Sequence, residues 1–198
     1  MRQTPSPFLP SDCENVQDNM QAELIENRLV VWNIEDSKKL FSSGFFGKPI
    51  GIPKPKGSDF DVPIILDLLE GYYLASKSEI TVTQDGKKIS SSSFLKICKN
   101  EVLQFQEKLL VYKKLREAGF VVSPGIKFGA DFAAYERGPG LDHAPYLVRV
   151  APASVRMTAT DIVLAGRLAT TVRKQFIIAI PDLDKDSVSF IGFDWWRA

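Results

Sequence analysis

The chain has 198 residues, 44% of them hydrophobic, and is therefore long enough to bury a substantial core as one domain or two small ones. Its 25 basic and 24 acidic residues give a formal charge of +1, so net charge neither supports nor excludes binding to nucleic acid. Cys13 and Cys98 lie far apart and there is one histidine, which excludes a four-ligand zinc site of the usual spacing. We expect neither a metal nor a cofactor.

Residues 1–22 are polar, contain three prolines and show no periodicity, so we interpret them as a flexible N-terminal extension. They lack the basic start and apolar stretch of a secretory leader, and no apolar run in the chain approaches the ~18 residues of a membrane span. We therefore expect an intracellular protein with reduced cysteines and no membrane partner.

The first regular pattern is RLVVWNI, which has the composition of a β-strand. In the segment EDSKKLFSSGFFG that follows, Asp36 is the predicted cap of a short helix that ends near Gly44 and Gly47. The stretch KPIGIPKPKGSDF is rich in proline and glycine and is predicted to be an exposed loop. Its residues 48–57 have no assigned role.

The segment VPIILDLLEGYYLASKS is predicted to be a helix with Pro63 in its first turn. Its apolar residues recur at helical spacing: Ile64, Ile65, Leu68, Leu69, Tyr72 and Tyr73. The next segment, EITVT, predicts a strand that is followed by a tight turn at Asp85 and Gly86. Together these elements form a small N-terminal α/β domain, for which we predict the bounds 23–98.

The longest helical pattern covers residues 91–120 and ends at Gly119. After it the sequence predicts strand, strand, helix, strand and strand, in KFGADFAAYE, PYLVRVAP, TDIVLAGRLATTVR, QFIIAIPD and VSFIGFDWW. We assign residues 99–198 to a second domain. The predicted fold class is α/β (α+β), with the small N-terminal α/β domain followed by a C-terminal domain whose central mixed sheet is flanked by helices.

Three residues of the second domain combine useful chemistry. Tyr135 ends one predicted strand, His143 lies in the loop before the next, and Lys174 lies where a helix passes into a strand, so all three are predicted to gather at one sheet edge. A phenol, an imidazole and an ammonium can supply a base, an acid and a cation, which is enough to cleave RNA without metal. Taken singly, each has a simpler interpretation, as a packing tyrosine, a surface histidine and a solvated lysine.

The flanking sequence carries a resemblance. GADFAAY, a short polar loop, HAPYLV and a helix leading into GRLATTVRKQFIIAI resemble the catalytic domain of the tRNA-splicing endonuclease family. LVVWNI, KKLFSSGFFGKPIG and ILDLLEGYYLASKSEITV resemble the N-terminal domain of its archaeal enzymes. The resemblance covers roughly residues 28–198 in the family's order. It implies a nuclease-like C-terminal domain in an archaeal-type catalytic subunit, which would be cytoplasmic.

The resemblance also implies a reaction. In the family a ribose 2′-hydroxyl attacks the adjacent phosphorus, leaving a 2′,3′-cyclic phosphate and a 5′-hydroxyl without a metal. The family's catalytic residues fall on Tyr135, the expected base, on His143, which protonates the leaving group, and on Lys174, which stabilises the charged transition state. None of the three is substituted, which favours a catalytic subunit over the family's inactive paralogues.

Further residues are implied by the same resemblance. Arg167 would stack on a bulged base, since it precedes Lys174 by seven residues and so faces the same side of a helix. At the C-terminus Trp196 and Arg197 would contact RNA, whereas Phe193 and Trp195 would lie in a strand that pairs two subunits or in the core. Asp182, Asp184 and Asp186 would form an acidic loop that docks on an opposing dimer, or a solvated turn.

The expected function is therefore cleavage of precursor tRNA at a bulge-helix-bulge motif, by a homotetramer or by a heterotetramer with a structural paralogue. Two alternatives remain open. The chain is a non-catalytic structural or RNA-binding subunit of the same complex, or it is a metal-dependent nuclease. The second alternative would use the carboxylates of Asp131, Asp182 or Asp184 with Lys185.

Overall fold

The structure is a computed structural model that describes residues 19–53, 55, 57–171 and 173–193. Two mixed sheets form in this part of the chain, one in each half, and helices pack on both. The predicted class, a small N-terminal α/β unit followed by a C-terminal unit with a central mixed sheet, is confirmed.

The N-terminal sheet has the strand order β3-β4-β2-β1-β5-β6. Its strands are β1 (Met20–Ile25), β2 (Arg28–Val31), β3 (Lys48–Pro49), β4 (Ile64–Leu66), β5 (Ile80–Gln84) and β6 (Lys87–Lys88). Strands β1 and β5 are parallel, and the other neighbours are antiparallel. Residues 20–22, which the sequence assigned to the extension, are the start of β1, whereas the predicted turn at Asp85 and Gly86 joins β5 to β6 with both residues at positive φ.

Helix α1 (Ile34–Gly44) begins two residues before its predicted cap, Asp36. The cap is Asn33, whose side chain accepts a hydrogen bond from the Asp36 backbone N–H at 3.0 Å, so the assignment of Asp36 as cap is wrong. The helix ends at Gly44, as expected, and Phe45 follows it in the left-handed region at φ 55°.

The helix predicted from Pro63 onward is two elements. Ile64 and Ile65 belong to β4, which pairs with β2 on one side and β3 on the other. Helix α2 (Leu68–Ser76) begins only after Asp67, which caps it in a capping box with Glu70. Tertiary pairing overrides the helical spacing here, because a three-residue strand between two neighbours carries too little pattern of its own.

The helix predicted over residues 91–120 is also divided, into α3 (Ser91–Glu101) and α4 (Phe105–Glu117). Gln104 lies between them in the left-handed region at φ 57°, which interrupts the hydrogen-bond ladder. The break separates two packing surfaces: in α3 the Cys98 thiol lies against the Leu68 carbonyl of α2, whereas α4 joins the C-terminal sheet.

The C-terminal sheet has the strand order β11-β10-β9-β8-β7. Its strands are β7 (Val121–Pro124), β8 (Phe132–Tyr135), β9 (Tyr146–Val150), β10 (Gln175–Asp182) and β11 (Ser187–Phe193), and a 3₁₀ turn at Ile126–Phe128 precedes β8. Among the described strand pairs of this sheet only β9 and β10 are parallel, and helix α5 (Ala159–Thr171) makes the crossover between them. A capping box between Thr158 and Asp161 starts α5.

Two apolar clusters cover the two faces of the C-terminal sheet. One is continuous with the N-terminal unit and includes Leu40, Tyr73, Tyr112, Phe132 and Val148. The other lies on the α5 side and includes Ala133, Leu147, Ile162, Phe176 and Ile178. The two units therefore share a core. No helix within the described ranges is long and apolar enough to cross a membrane.

A buried acidic side chain lies where the two units meet. The Glu70 carboxylate lies 3.4 Å from the Gly47 backbone nitrogen and 3.3 Å from that of Asp67, and Glu70 is only 6% exposed. Burial, together with the nearby Asp67 charge, raises the pKa of Glu70 to about 8, and the Arg116 charge opposes the rise. Burial also raises the pKa of Asp67.

Packing at Gly71 generates a first prediction. A Cβ there would lie 2.0 Å from Cδ1 of Leu29, which is fully buried, whereas a Cβ at Gly166 in α5 meets nothing within 4 Å. We expect Gly71→Ala to lower the free energy of unfolding by about 1–2 kcal/mol, because overpacking exceeds the gain in helix propensity. The control Gly166→Ala should raise it by up to ~1 kcal/mol. Urea unfolding measures both, and a stabilised Gly71→Ala would contradict the packing of α2 on β2.

Glu70 generates a second prediction. Its pKa of about 8 in the folded protein exceeds the ordinary value of 4.5, so the folded state keeps a proton that the unfolded state has lost. The contribution of this proton to the free energy of unfolding is fully present below pH 4.5 and is lost as pH rises through about 8. For one group the loss is no more than ~1.4 kcal/mol per pH unit. Unfolding measured from pH 5 to 9 should show a flatter dependence in Glu70→Gln than in wild type. Exposed Glu117→Gln is the control, and equal slopes in all three proteins would refute the raised pKa.

Candidate active site

The strand register aligns two of the predicted site residues. Tyr135 is the last residue of β8, and Lys174 directly precedes β10. Ala134 and Gln175 both pair with Tyr146 of β9, which lies between those strands, and the Gln175 N–H donates to the Pro145 carbonyl at 2.8 Å. Continued by one residue, the register places positions 135, 145 and 174 in one row across three adjacent strands.

The row faces the α5 side of the sheet. Ala133, Leu147 and Phe176 lie on that side, and side chains two residues apart in a strand share a face. Tyr135 itself packs against this cluster. Because neighbouring strands are about 4.8 Å apart, the backbones at positions 135 and 174 are separated by about 10 Å. The side chains of positions 135 and 174 therefore leave the same face of the sheet, with the start of β9 between them.

His143 lies in the loop between β8 and β9, two residues before Pro145, and its side chain is exposed. The preceding residue, Asp142, fixes this loop. Its carboxylate accepts hydrogen bonds from the Arg137 and Gly138 backbone N–H groups, both at 3.0 Å. The residue beside His143 thus ties the end of the loop to its beginning.

Lys174 reaches back toward the same loop. Its ammonium donates a hydrogen bond to the Ala144 carbonyl, next to His143. Partial burial lowers the pKa of Lys174 from its ordinary value of 10.5, and the Asp142 carboxylate opposes that shift. The backbone thus brings all three predicted residues, Tyr135, His143 and Lys174, to one edge of the sheet.

An open cleft of about 500 Å³ adjoins Lys174. It is lined by Pro145, Tyr146, Thr170, Arg173, Lys174 and Gln175. Arg173 adopts the left-handed backbone conformation at φ 54°, in the connection from α5 to β10. Two adjacent cationic residues therefore line a cleft at the end of the strand row, which suits a phosphate-bearing ligand.

The helical-face argument for Arg167 is wrong. Helix α5 ends at Thr171, and the left-handed Arg173 intervenes before Lys174, so the spacing of seven residues does not place Arg167 and Lys174 on one helical face. Arg167 is exposed on α5. Its contact with RNA stays a prediction, and the C-terminal residues predicted for RNA and subunit contacts, Trp195, Trp196 and Arg197, lie outside the described residues.

The predicted interface residues occupy the β10–β11 hairpin. Asp182 accepts hydrogen bonds from both the backbone N–H and the ammonium of Lys185, and Asp186 pairs with Lys114 of α4 at 3.0 Å. Asp184 is exposed between them. Phe193 packs against Phe176, with ring centroids 6.1 Å apart, so it is part of the core on this side of the sheet. Subunit contacts by these residues stay predictions.

The carboxylates proposed for a metal-dependent nuclease lie at the other end of the sheet. Asp131 precedes β8, pairs with Lys108 at 2.9 Å and accepts from the Val150 N–H at 2.8 Å. Asp182 ends β10. These positions are a strand length away from Tyr135, so the structure separates the two candidate sites.

Sequence reasoning missed two residues that organise the site. Asp142 belongs to the segment GPGLDH, where an Asp that follows glycines is a known turn residue, so its capping role had a detectable local signal. Arg173 had none, because its place in the cleft depends on a left-handed residue after α5.

Comparison with known proteins matches this architecture across both units. The model of the tRNA intron endonuclease N-terminal domain matches residues 20–95, and that of the tRNA intron endonuclease catalytic C-terminal domain matches residues 105–190. The chain belongs to the tRNA intron endonuclease family. The resemblance inferred from the sequence motifs is thereby confirmed, and all three predicted catalytic positions fall within the match to the catalytic domain.

Similar proteins in this family cover the chain almost completely. A protein named tRNA-splicing endonuclease from Hyperthermus butylicus is 40% identical over 89% of this chain and 98% of its own length. Proteins of the same name from Sulfurisphaera tokodaii and Saccharolobus solfataricus are 37% and 39% identical, over 90% and 89% of this chain and 99% and 98% of their own lengths. The family's two-domain organisation therefore extends over nearly the whole of these relatives.

The charge of Asp142 generates a third prediction. Since its carboxylate raises the pKa of Lys174 against the effect of burial, Asp142→Asn should lower that pKa further. The titration of ¹³C-dimethylated lysines by NMR measures it, with the Lys174 signal assigned from its loss in Lys174→Arg. Glu136→Gln removes an exposed charge from the same loop and is the matched control. An unchanged Lys174 pKa in Asp142→Asn would contradict this electrostatic coupling.

Proposed function

We propose that the protein is the catalytic subunit of a tRNA-splicing endonuclease, which cleaves precursor tRNA at the intron boundaries of a bulge-helix-bulge motif. The observation that carries the proposal is the row of positions 135, 145 and 174, with His143 in the loop that precedes the middle strand. Membership of the tRNA intron endonuclease family supports the same reaction class.

In this proposal Tyr135 takes the proton of the 2′-hydroxyl and His143 protonates the departing 5′-oxygen. The products are a 2′,3′-cyclic phosphate and a 5′-hydroxyl, so the reaction is a transesterification that requires no metal. The two groups approach from different elements, the end of β8 and the loop before β9, as opposite sides of a phosphodiester require. The exposed position of His143 lets it reach a bound RNA.

Lys174 supplies the positive charge. Its ammonium is held beside His143 by the Ala144 carbonyl, at the edge of the cleft that Arg173 also lines. Preorganised cations stabilise charge that develops on the non-bridging oxygens in the transition state, and they are more effective where water is partly excluded. The partial burial that lowers the pKa of Lys174 indicates such a setting.

We also propose assembly into a tetramer, either of this chain alone or with a structural paralogue. Strand β11 is the outer strand of the described C-terminal sheet, and Phe190 and Ile191 on it are each 45% exposed. An outer strand with exposed apolar side chains is suited to pairing with a second subunit. The exposed Asp184 supports docking of the acidic turn through charge complementarity.

The fourth prediction tests the reaction. In excess chelator, wild-type protein should cleave a bulge-helix-bulge RNA, and His143→Ala should slow cleavage by about 100-fold or more, because general acid catalysis contributes that much. Leu141→Ala alters an exposed side chain of the same loop and should leave the rate unchanged. A 2′-deoxy nucleotide at the cleaved position should abolish cleavage, and the fragments should carry cyclic phosphate and 5′-hydroxyl ends.

The alternatives have distinct outcomes. Cleavage that stops in chelator and returns with Mg²⁺ would support the metal-dependent nuclease. Cleavage that appears only when a structural paralogue is added, and that still requires His143, would identify a heterotetramer. An inactive chain, alone and with such a partner, would support the non-catalytic subunit.

A further inference from the structure

The loop that carries His143 contacts the N-terminal unit. A Cβ built on Gly138 would lie 2.5 Å from Cε2 of Phe45 and 2.8 Å from Cδ2, so only glycine allows this approach. Gly138 is buried and has a φ of 134°, which side-chain-bearing residues rarely adopt. The backbone of the loop therefore rests directly on an aromatic ring that is distant in sequence.

Phe45 is itself held firmly. It follows α1 in the left-handed conformation, its N–H donates to the Phe41 carbonyl at 2.7 Å, and its ring meets the Phe41 ring edge-on at 5.2 Å. Phe41 is 3% exposed and packs in turn against Phe60. The preceding residue, Gly44, accepts a hydrogen bond from the Arg116 guanidinium of α4 at 2.7 Å. The ring is thus anchored to the cores of both units.

Asp142 connects this contact to His143. Its carboxylate accepts from the Gly138 N–H, so the residue that rests on Phe45 is bound to the residue directly before His143. At Gly140, in the middle of the loop, an added Cβ would approach the Pro55 carbonyl at 3.0 Å, which gives the N-terminal unit a second approach to the loop. A displacement of the Phe45 ring would therefore move the backbone that sets the position of the imidazole.

We infer that Phe45 is a positioning residue for cleavage, through which the N-terminal unit holds the loop of residues 136–142 and thereby orients His143. The inference rests on the proposed catalytic function of His143. It assigns the N-terminal unit a part in the active site of its own chain. Misplacement of a catalytic group by about 1 Å costs on the order of 100-fold in rate, so loss of one supporting ring is measurable.

The fifth prediction compares Phe45→Ala with Tyr72→Ala in the full-length protein, in the assembly in which wild type cleaves. Tyr72 is a half-buried ring of the same unit, but it packs on Phe94 of α3 and Phe105 of α4. Phe45→Ala should lower the single-turnover rate at saturating RNA by about 10- to 100-fold and change Kd for RNA by less than about twofold. Tyr72→Ala should leave both unchanged, and Phe45→Leu should recover most of the rate.

A second measurement needs no RNA. Hydrogen exchange of the Arg137 and Gly138 amides, which Asp142 protects, should be faster in Phe45→Ala than in wild type and unchanged in Tyr72→Ala. If Phe45→Ala is poorly folded, Gly138→Ala tests the same contact from the loop. Its control is Gly119→Ala, which also has positive φ, at 90°, but has open space at its Cβ.

The outcomes separate the inference from the proposed function. Wild-type cleavage with an unchanged rate in Phe45→Ala, or a fall in rate equal to that in Tyr72→Ala, would overturn the positioning role alone. Unchanged amide exchange in Phe45→Ala would overturn it as well. A wild-type protein that fails to cleave in any assembly would overturn the proposed function and the positioning role together.

Discussion

Beside the shared apolar core, one polar side chain joins the two halves of the chain: the guanidinium of Arg116. It lies 4.3 Å from the ring centroid of Phe46 and 5.2 Å from that of Tyr112. Its three nitrogens donate to the Tyr112 hydroxyl, the Gly44 carbonyl and the Val122 carbonyl, at 2.9, 2.7 and 3.2 Å. A planar fork with several donors is the one side chain that can satisfy three acceptors and stack on rings at once. Arg116 therefore fixes the end of α1 against the C-terminal sheet.

The acceptors of Arg116 lie next to residues of the candidate active site. Val122 pairs with Ala134 in β8, the residue before Tyr135, and Gly44 precedes the ring that supports the His143 loop. One guanidinium thus sets the position of the sheet edge and of the aromatic support beside it. The cost of partly burying this charge is reduced because each guanidinium nitrogen has a hydrogen-bond acceptor.

Much of this arrangement was predictable from local sequence. Strand composition identified RLVV, and the Asp85–Gly86 turn has residue types that favour positive φ. The turn residues between the predicted elements placed Tyr135, His143 and Lys174 at or between element ends. The errors occurred where contacts with residues distant in sequence determine the secondary structure. Ile64–Leu66 is a strand because β2 and β3 flank it, and the break at Gln104 follows from what α3 and α4 each pack against. The hydrophobic periodicity of a short sequence window carries no information on strand partners or on which surfaces a helix packs against.

The support of the His143 loop had no local signal for the same reason. Phe45 and Gly138 are 93 residues apart, and nothing near either residue indicates that a ring and a bare backbone meet. A glycine-rich loop such as ERGPGLD suggests flexibility when read alone. In the folded chain, the glycine at 138 serves close approach, which restricts the loop instead of freeing it.

The three proposed catalytic groups differ in solvent exposure, and the difference fits a proton cycle that repeats with each cleavage. A general acid that protonates a leaving group must regain its proton before the next cleavage, and the exposed imidazole of His143 can exchange with water directly. Tyr135 and Lys174 are partly buried, which favours a fixed geometry and a strong electrostatic effect over rapid exchange. An exposed acid on a mobile loop would be poorly oriented. Its accessibility is therefore compatible with catalysis only if other contacts fix the loop backbone. Phe45 and Asp142 meet that requirement from two sides, one from the N-terminal unit and one from within the loop.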